Sequence, residues 1–301
     1  MIVRKNPTFL TLFLITKGSI VPKIAPKIGF FMALSVIILV LDHTGVPIIH
    51  INFQAASIFG LALSLFLGFR NNAAYERWWE ARMLWGQLIA DIRSLGRETM
   101  TFMGETQDRA ELLKLACVFL HLHRTNLRRT DPPAQVQEFA DPALIQSFKD
   151  MRNPACGPLN EMAKRLHRIH ANGGISDFGL RVLSQRLGAI SLAQAGCERI
   201  AGTPMPYVYV LLIYRTIFLY CILVPFGLIE SVGWMAPVFA GIIAYVFYGL
   251  AAVTDELKHP FTNSVNGIPL DAMCRTVEIS VAEALNTPPP MPLEPKDHIL
   301  T

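Results

Sequence analysis

Apolar runs and runs of mixed polarity alternate along the chain and divide it into regions before any motif is considered. Ile24 to Leu41 is apolar apart from Lys27, and a lysine that snorkels to the headgroups is compatible with a first membrane helix. A second run from Ile48 to Phe69 rises about 33 Å as a helix at about 1.5 Å per residue, enough to cross a bilayer. Tyr207 to Ile229 and Met235 to Val253 predict a third and a fourth span. Between the second and third spans, residues 70–203 mix charged and apolar positions at helical spacing, as do residues 255–285 after the fourth. Helices are expected there over Tyr75–Met103, Asp108–Thr125, Ala143–Met151 and Asn160–His170. Asp131–Pro142 and Asn172-Gly173-Gly174 interrupt them, after which Ser176 or Asp177 is placed to cap a helix reaching Ile200. The proline-rich tail, residues 287–301, favours an extended form. The fold class is all-α, four transmembrane helices (24–41, 48–69, 207–229, 235–253) with helical regions at 70–203 and 255–285, forming a single unit over 1–301.

Charge gives this pattern a direction. The links Asp42–His50 and Glu230–Trp234 contain no Lys or Arg, while the first 27 residues, the insert and the carboxyl segment hold all 27 basic residues except Arg215. By the positive-inside bias, both termini and the insert are cytoplasmic. The charged share is 17% of 301 residues, below the roughly 25% usual in soluble domains, which fits a membrane protein with a sizeable polar part. A basic start before a short apolar run resembles a signal peptide, but small-residue cleavage chemistry does not follow it. Cys117, Cys156, Cys197, Cys221 and Cys274 are scattered with no C-x-x-C, which argues for reduced thiols over a disulfide framework or zinc ribbon.

One stretch organises the rest: Ala55 to Arg82, AASIFGLALSLFLGFRNNAAYERWWEAR. It turns from apolar to charged and aromatic with no proline break. Leu61, Leu65 and Phe69 recur every four residues and form one slowly drifting stripe. Gly60, Ser64 and Gly68 form a second stripe about 100° away on the same helix. Small residues let helices approach closely, while the bulky stripe presents its tips elsewhere. By itself such a pattern also suits ordinary membrane-helix packing.

LxLSLFLGFRNNxxYxRWWEAR resembles the signature of the bestrophin family of pentameric ion channels. LHRTNLRRTDP (Leu122–Pro132), GCERIAGTPMPYVY (Gly196–Tyr209) and DELKHPFTNSVNGIPLDAMCRTVE (Asp255–Glu278) resemble further segments of that family. The resemblance implies a homopentamer around an axial pore in a bacterial inner membrane, with both termini cytoplasmic. It makes Leu61, Leu65 and Phe69 the lining of a hydrophobic neck, roughly 12 Å long, able to gate by dewetting. Gly60, Ser64 and Gly68 would then pack neighbouring pore helices. Glu76, Arg77 and Glu80 are either inter-subunit ion pairs below the neck or part of a plain juxtamembrane helix. A second, cytoplasmic aperture maps to Ile175, with Leu180 as the fallback. Asp177 beside it would favour cations, or would serve as a simple cap. Calcium-activated members carry acidic residues where this chain has Thr262, Asn263, Ser264, Val265, Asn266 and Gly267, so calcium activation through that segment is not expected.

No metal or cofactor is expected. His121 with His123 and His167 with His170 lack the further ligands of a tetrahedral site and read as surface histidines. Phosphate loops, zincin motifs and nucleophile elbows are missing, so the chain does not read as an enzyme. The expected partners are other copies of the chain, monovalent ions and the lipid bilayer, with no nucleic acid. Conduction of cations is slightly preferred over chloride. The rival readings are an anion channel of the same architecture, a secondary transporter, which would show internal repeats, and a membrane-anchored scaffold.

Overall fold

The structure, a computed structural model, describes residues 1–3, 15 and 18–301, without the side chains of Phe53 and Ala55. The basic residues Arg4, Lys5 and Lys17 lie outside it. Among the described residues the regular elements are helices, and the chain divides into two compact units. One is built from residues up to Trp78 together with Pro204–His259. The other comprises Trp79–Thr203, Pro260–Thr301 and the extreme amino terminus.

The first unit holds α1 (Val21–His43), the opening of α2 (Phe53–Met103), α7 (Tyr207–Val232) and α8 (Ala236–Leu257). Its core joins Phe31, Leu63, Leu67, Ile217, Val224 and Phe247. Alanines and glycines of α8 let α1 lie close: a Cβ at Gly241 would stand 2.8 Å from Met32 Sδ. Gly233, at φ +51°, ends α7, and one 3₁₀ turn, Gly233–Met235, leads into α8. Trp234 stacks on His43 at 4.7 Å, as an aromatic at that turn would. By length and composition, two described stretches suffice to cross a membrane, Val21–His43 and Tyr207–Leu257, the latter containing both α7 and α8.

The boundaries depart from the sequence reading in one instructive place. Residues 48–52 are not helical, and α2 starts at Phe53. Roughly 25 Å of helix therefore precedes Arg70, in place of 33 Å. From Arg70 the helix continues without a break to Met103, because nothing between them removes a backbone donor or demands a positive φ.

The second unit packs the later part of α2 against α3 (Gln107–Arg128), α5 (Cys156–Ala171), α6 (Asp177–Gly202) and α9 (Leu270–Ala284), with the short α4 (Pro142–Lys149) beside them. Trp85, Leu88, Ile92 and Leu95 form the buried stripe of α2, and Trp85 stacks on His123 of α3. Thr106 caps α3 through the amide of Arg109, and Ser176 caps α6 through the amide of Gly179. The proline-rich tail does not stay free: Ile2 bridges Ile299, and the amide of Ala272 donates to the carbonyl of Thr301 at 2.9 Å.

Candidate functional site

The two faces of α2 differ sharply. Leu63, Leu67, Arg70 and Ala74 follow one another at helical spacing and are at most 3% exposed. Leu61, Leu65 and Phe69, on another face, are 73, 60 and 59% exposed. Large apolar side chains left uncovered in that number mark an interaction or membrane surface.

The small-residue stripe divides between two roles. Gly60 faces its own chain: a Cβ there would lie 2.2 Å from Tyr220 Oη. Gly68 meets nothing within 4 Å, and Ser64 is exposed, its hydroxyl donating to the carbonyl of Gly60 at 2.8 Å. The reason is geometric. A spacing of four residues turns about 40° around the helix, so Gly60 and Gly68 are about 80° apart and cannot share one contact.

Arg70 is buried at the end of this apolar stretch and is held by α8. Its Nη2 donates to Asp255 Oδ1 at 3.1 Å, and its guanidinium lies 5.6 Å from the Tyr214 ring centroid. Asp255 also accepts from the Tyr214 hydroxyl and from Lys258 Nζ, the latter at 2.8 Å. The Asp255 carboxylate offsets part of the cost of burying the Arg70 charge. This pairing anchors the register of α2 and was not foreseen in the sequence.

Several expected partners lie inside the chain. Arg77 Nε donates to the carbonyl of Lys258 at 3.0 Å, and Glu80 accepts from Arg199 at 2.5 Å. The first is a bond to a neutral backbone oxygen and the second an ion pair within the chain. His121 and His123 are not surface residues, being 3 and 0% exposed. His121 Nε2 lies 2.6 Å from Glu278 Oε1, a link between α3 and α9. Burial pushes the Glu278 carboxyl up, but the hydrogen bond with His121 and the charges of His121, Arg275 and Arg124 outweigh it and hold it below its ordinary value. His123 is stacked between Trp85 and Phe119, and burial pushes it down to about 3. Among the described residues no group of three or more His, Cys, Asp or Glu is disposed to hold a metal ion.

At the start of α6 the structure separates the candidates. Ile175 is buried at 5% exposure, so its side chain is committed to its own unit. Leu180 is half-buried. Phe178, in the first turn of α6, is 79% exposed. Asp177 beside it is exposed, with His170 Nε2 at 2.8 Å from its Oδ1. The cue for Phe178 was present in the sequence: once Ser176 is the cap, the next residues form the first helical turn and project from it.

Residues 1–283 match the family model described as bacterial and fungal bestrophin protein. The chain belongs to the bestrophin family. Similar proteins include one from Mesorhizobium japonicum, 43% identical over 96% of this chain and 94% of its own length, and one from Escherichia coli, 36% identical over 94 and 93%. Both are named voltage-dependent anion channel-forming proteins. The crystal structure of a bacterial bestrophin homologue from Klebsiella pneumoniae matches with a TM-score of 0.82 at 28% identity, covering 88% of this chain and all of that one. The bestrophin assignment places the chain among ion channels and not among enzymes.

In this bestrophin the Thr262–Gly267 segment is a tight loop. The amide of Ile268 donates to the carbonyl of Pro260 at 2.9 Å, and a Cβ on Gly267 would collide with the Thr262 carbonyl at 2.2 Å. The next carboxylate along, Asp271, accepts from Arg124 and from Arg128. Burial pushes that carboxyl up, but the Arg128 hydrogen bond and the two guanidinium charges hold it below its ordinary value.

Proposed function

We propose that this chain assembles as a homopentamer in a bacterial inner membrane and conducts monovalent ions passively along an axial pore. Leu61, Leu65 and Phe69 of each copy form its hydrophobic neck. The observation that carries this reading is the two-faced opening of α2: one face is closed by the chain's own helices, and the other leaves these three side chains exposed. Exposure suits lipid as well as a passage, and the bestrophin signature across the same residues favours the passage. A single helix cannot enclose an axis, so copies of α2 must surround it. Ser64 and Gly68, open in the single chain, would let those copies approach. The same proposal has α1, the apolar part of α2, α7 and α8 cross the bilayer, with both termini cytoplasmic, because the links between them carry no Lys or Arg.

The second constriction falls to Phe178 in place of Ile175, since only the former offers its ring to solvent. Several copies of Asp177 beside it would concentrate cations and make cations the preferred charge carriers. The anion reading rests on a different observation, the names of relatives up to 43% identical. Opening would not need calcium, because the Thr262–Gly267 loop supplies no carboxylate.

Native mass of the detergent-purified chain tests the assembly, with five copies expected; a plateau at a dimer overturns the axial pore. Reversal potentials in asymmetric salt across a reconstituted bilayer separate cation from anion conduction, and a silent bilayer with an intact pentamer overturns conduction itself.

A further inference from the structure

The second unit contains a cleft that the channel reading does not use. It lies between the later part of α2, the start of α3 and the end of α9 and has a volume of about 840 Å³. Three arginines line it: Arg93 and Arg97 on α2 and Arg109 on α3. Other arginines of this unit have carboxylate partners, among them Arg124, Arg128, Arg165, Arg186 and Arg199. Among the described residues, none of the cleft three has a carboxylate within 4.0 Å. Arg93 donates to Ser280 Oγ at 3.0 Å and Arg97 reaches Ser94 Oγ at 3.4 Å, both neutral hydroxyls, and both side chains are exposed.

Arg109 is the telling member. It is only 5% exposed, and one of its nitrogens donates to the carbonyl of Ala284 at 2.8 Å, closing the end of α9. Its Nε is buried with no hydrogen-bond partner in the protein. A buried cationic donor left without a partner costs free energy that an acceptor in the cleft would recover. Leu113 and Val281 give the cleft an apolar wall, and Glu283 is the one carboxylate on its lining.

We propose that this cleft binds a small phosphorylated organic molecule. Planar guanidinium forks match phosphate oxygens in pairs, and three of them around one cleft outweigh the single carboxylate. The apolar wall would take the organic body, and Glu283 would accept from a hydroxyl on it. The volume lies within the range of small-molecule sites.

The test uses the full chain purified in detergent, with phenyl phosphate, glucose 6-phosphate and adenosine diphosphate as probes, and inorganic phosphate and chloride as controls at equal ionic strength. Saturable binding, read by calorimetry and by a rise in unfolding temperature, is expected for at least one ester and not for the two inorganic ions. The double variant Arg93→Gln/Arg97→Gln should weaken that binding at least tenfold while leaving native mass unchanged. Gly96→Leu should do the same with every charge kept. A Cβ at Gly96 would sit 3.8 Å from Ala284 Cβ, so the backbone has room and the larger side chain enters the cleft. Three outcomes overturn the proposal: no ester binds, the double variant binds as the parent does, or it changes the number of assembled copies, which would make the cleft a contact between subunits. None of these readouts depends on ion conduction.

Discussion

Gly60 leaves the space that Tyr220 fills. A Cβ on Gly60 would lie 2.2 Å from the Tyr220 hydroxyl oxygen and 2.8 Å from Cζ. Tyr220 is itself held, its ring 5.2 Å from Phe247 edge to face and 5.6 Å from Phe59. The tyrosine has little room to retreat, so Gly60→Ala should destabilise the chain by about 1–3 kcal/mol through overpacking. Thermal unfolding in detergent checks this, and Tyr220→Phe in the same chain should recover part of the loss.

At the neck, the barrier proposed is the cost of holding ions between side chains with no polar partners. Leu65→Ala should wet the constriction and raise conductance or open probability several-fold, and Leu65→Ser should do at least as much. Leu67 is the control, since it is fully buried in its own chain. Leu67→Ala should cost about 2–5 kcal/mol of stability and leave single-channel conductance near that of the parent. Equal currents in the parent and both Leu65 variants, all correctly assembled, would remove the gate from this stripe.

Beside the proposed second constriction, Asp177→Asn removes one charge per copy. Reversal potentials should then move toward the anion equilibrium potential, and Phe178→Ala should raise conductance without that shift. An unchanged permeability ratio in Asp177→Asn would detach selectivity from this carboxylate.

Acid should destabilise the second unit in two stages. His123 is depressed from 6.5 to about 3 by burial, so the unfolded chain binds the proton first and stability falls as pH drops below about 6.5. Each pH unit within that window removes up to about 1.4 kcal/mol. Glu278 is also depressed, so its contribution is complete above its unfolded value of 4.5 and is lost as pH falls through the lower folded value. His123→Phe keeps an aromatic between Trp85 and Phe119 and should flatten the first stage only. Unfolding temperatures of the two proteins between pH 7.5 and 5 check the slope.

Chelation of calcium should leave open probability unchanged, because the loop after Phe261 offers no carboxylate and Asp271 is committed to Arg124 and Arg128. A steep loss of current in a chelator at constant ionic strength would require a calcium site elsewhere in the chain.

What the sequence determined by itself was everything that follows from spacing along one helix. The apolar runs located α1, α7 and α8, the expected cap at Ser176 or Asp177 located the start of α6, and the Leu61, Leu65, Phe69 repeat identified an apolar stripe. These properties are local: they depend on a fixed rise and a fixed turn per residue. Which face of a helix is used is not local. Gly60 and Gly68 look alike in the sequence, and only the approach of Tyr220 makes the first a packing contact within the chain. Ile175 and Phe178 are both apolar and three residues apart, yet the first is buried and the second exposed. Arg77 and Glu80 find Lys258 and Arg199 more than a hundred residues away, pairings that no periodicity encodes. Tertiary structure decided these because a side chain's role depends on what else arrives at the same place, and contacts between distant segments form only when the helices pack.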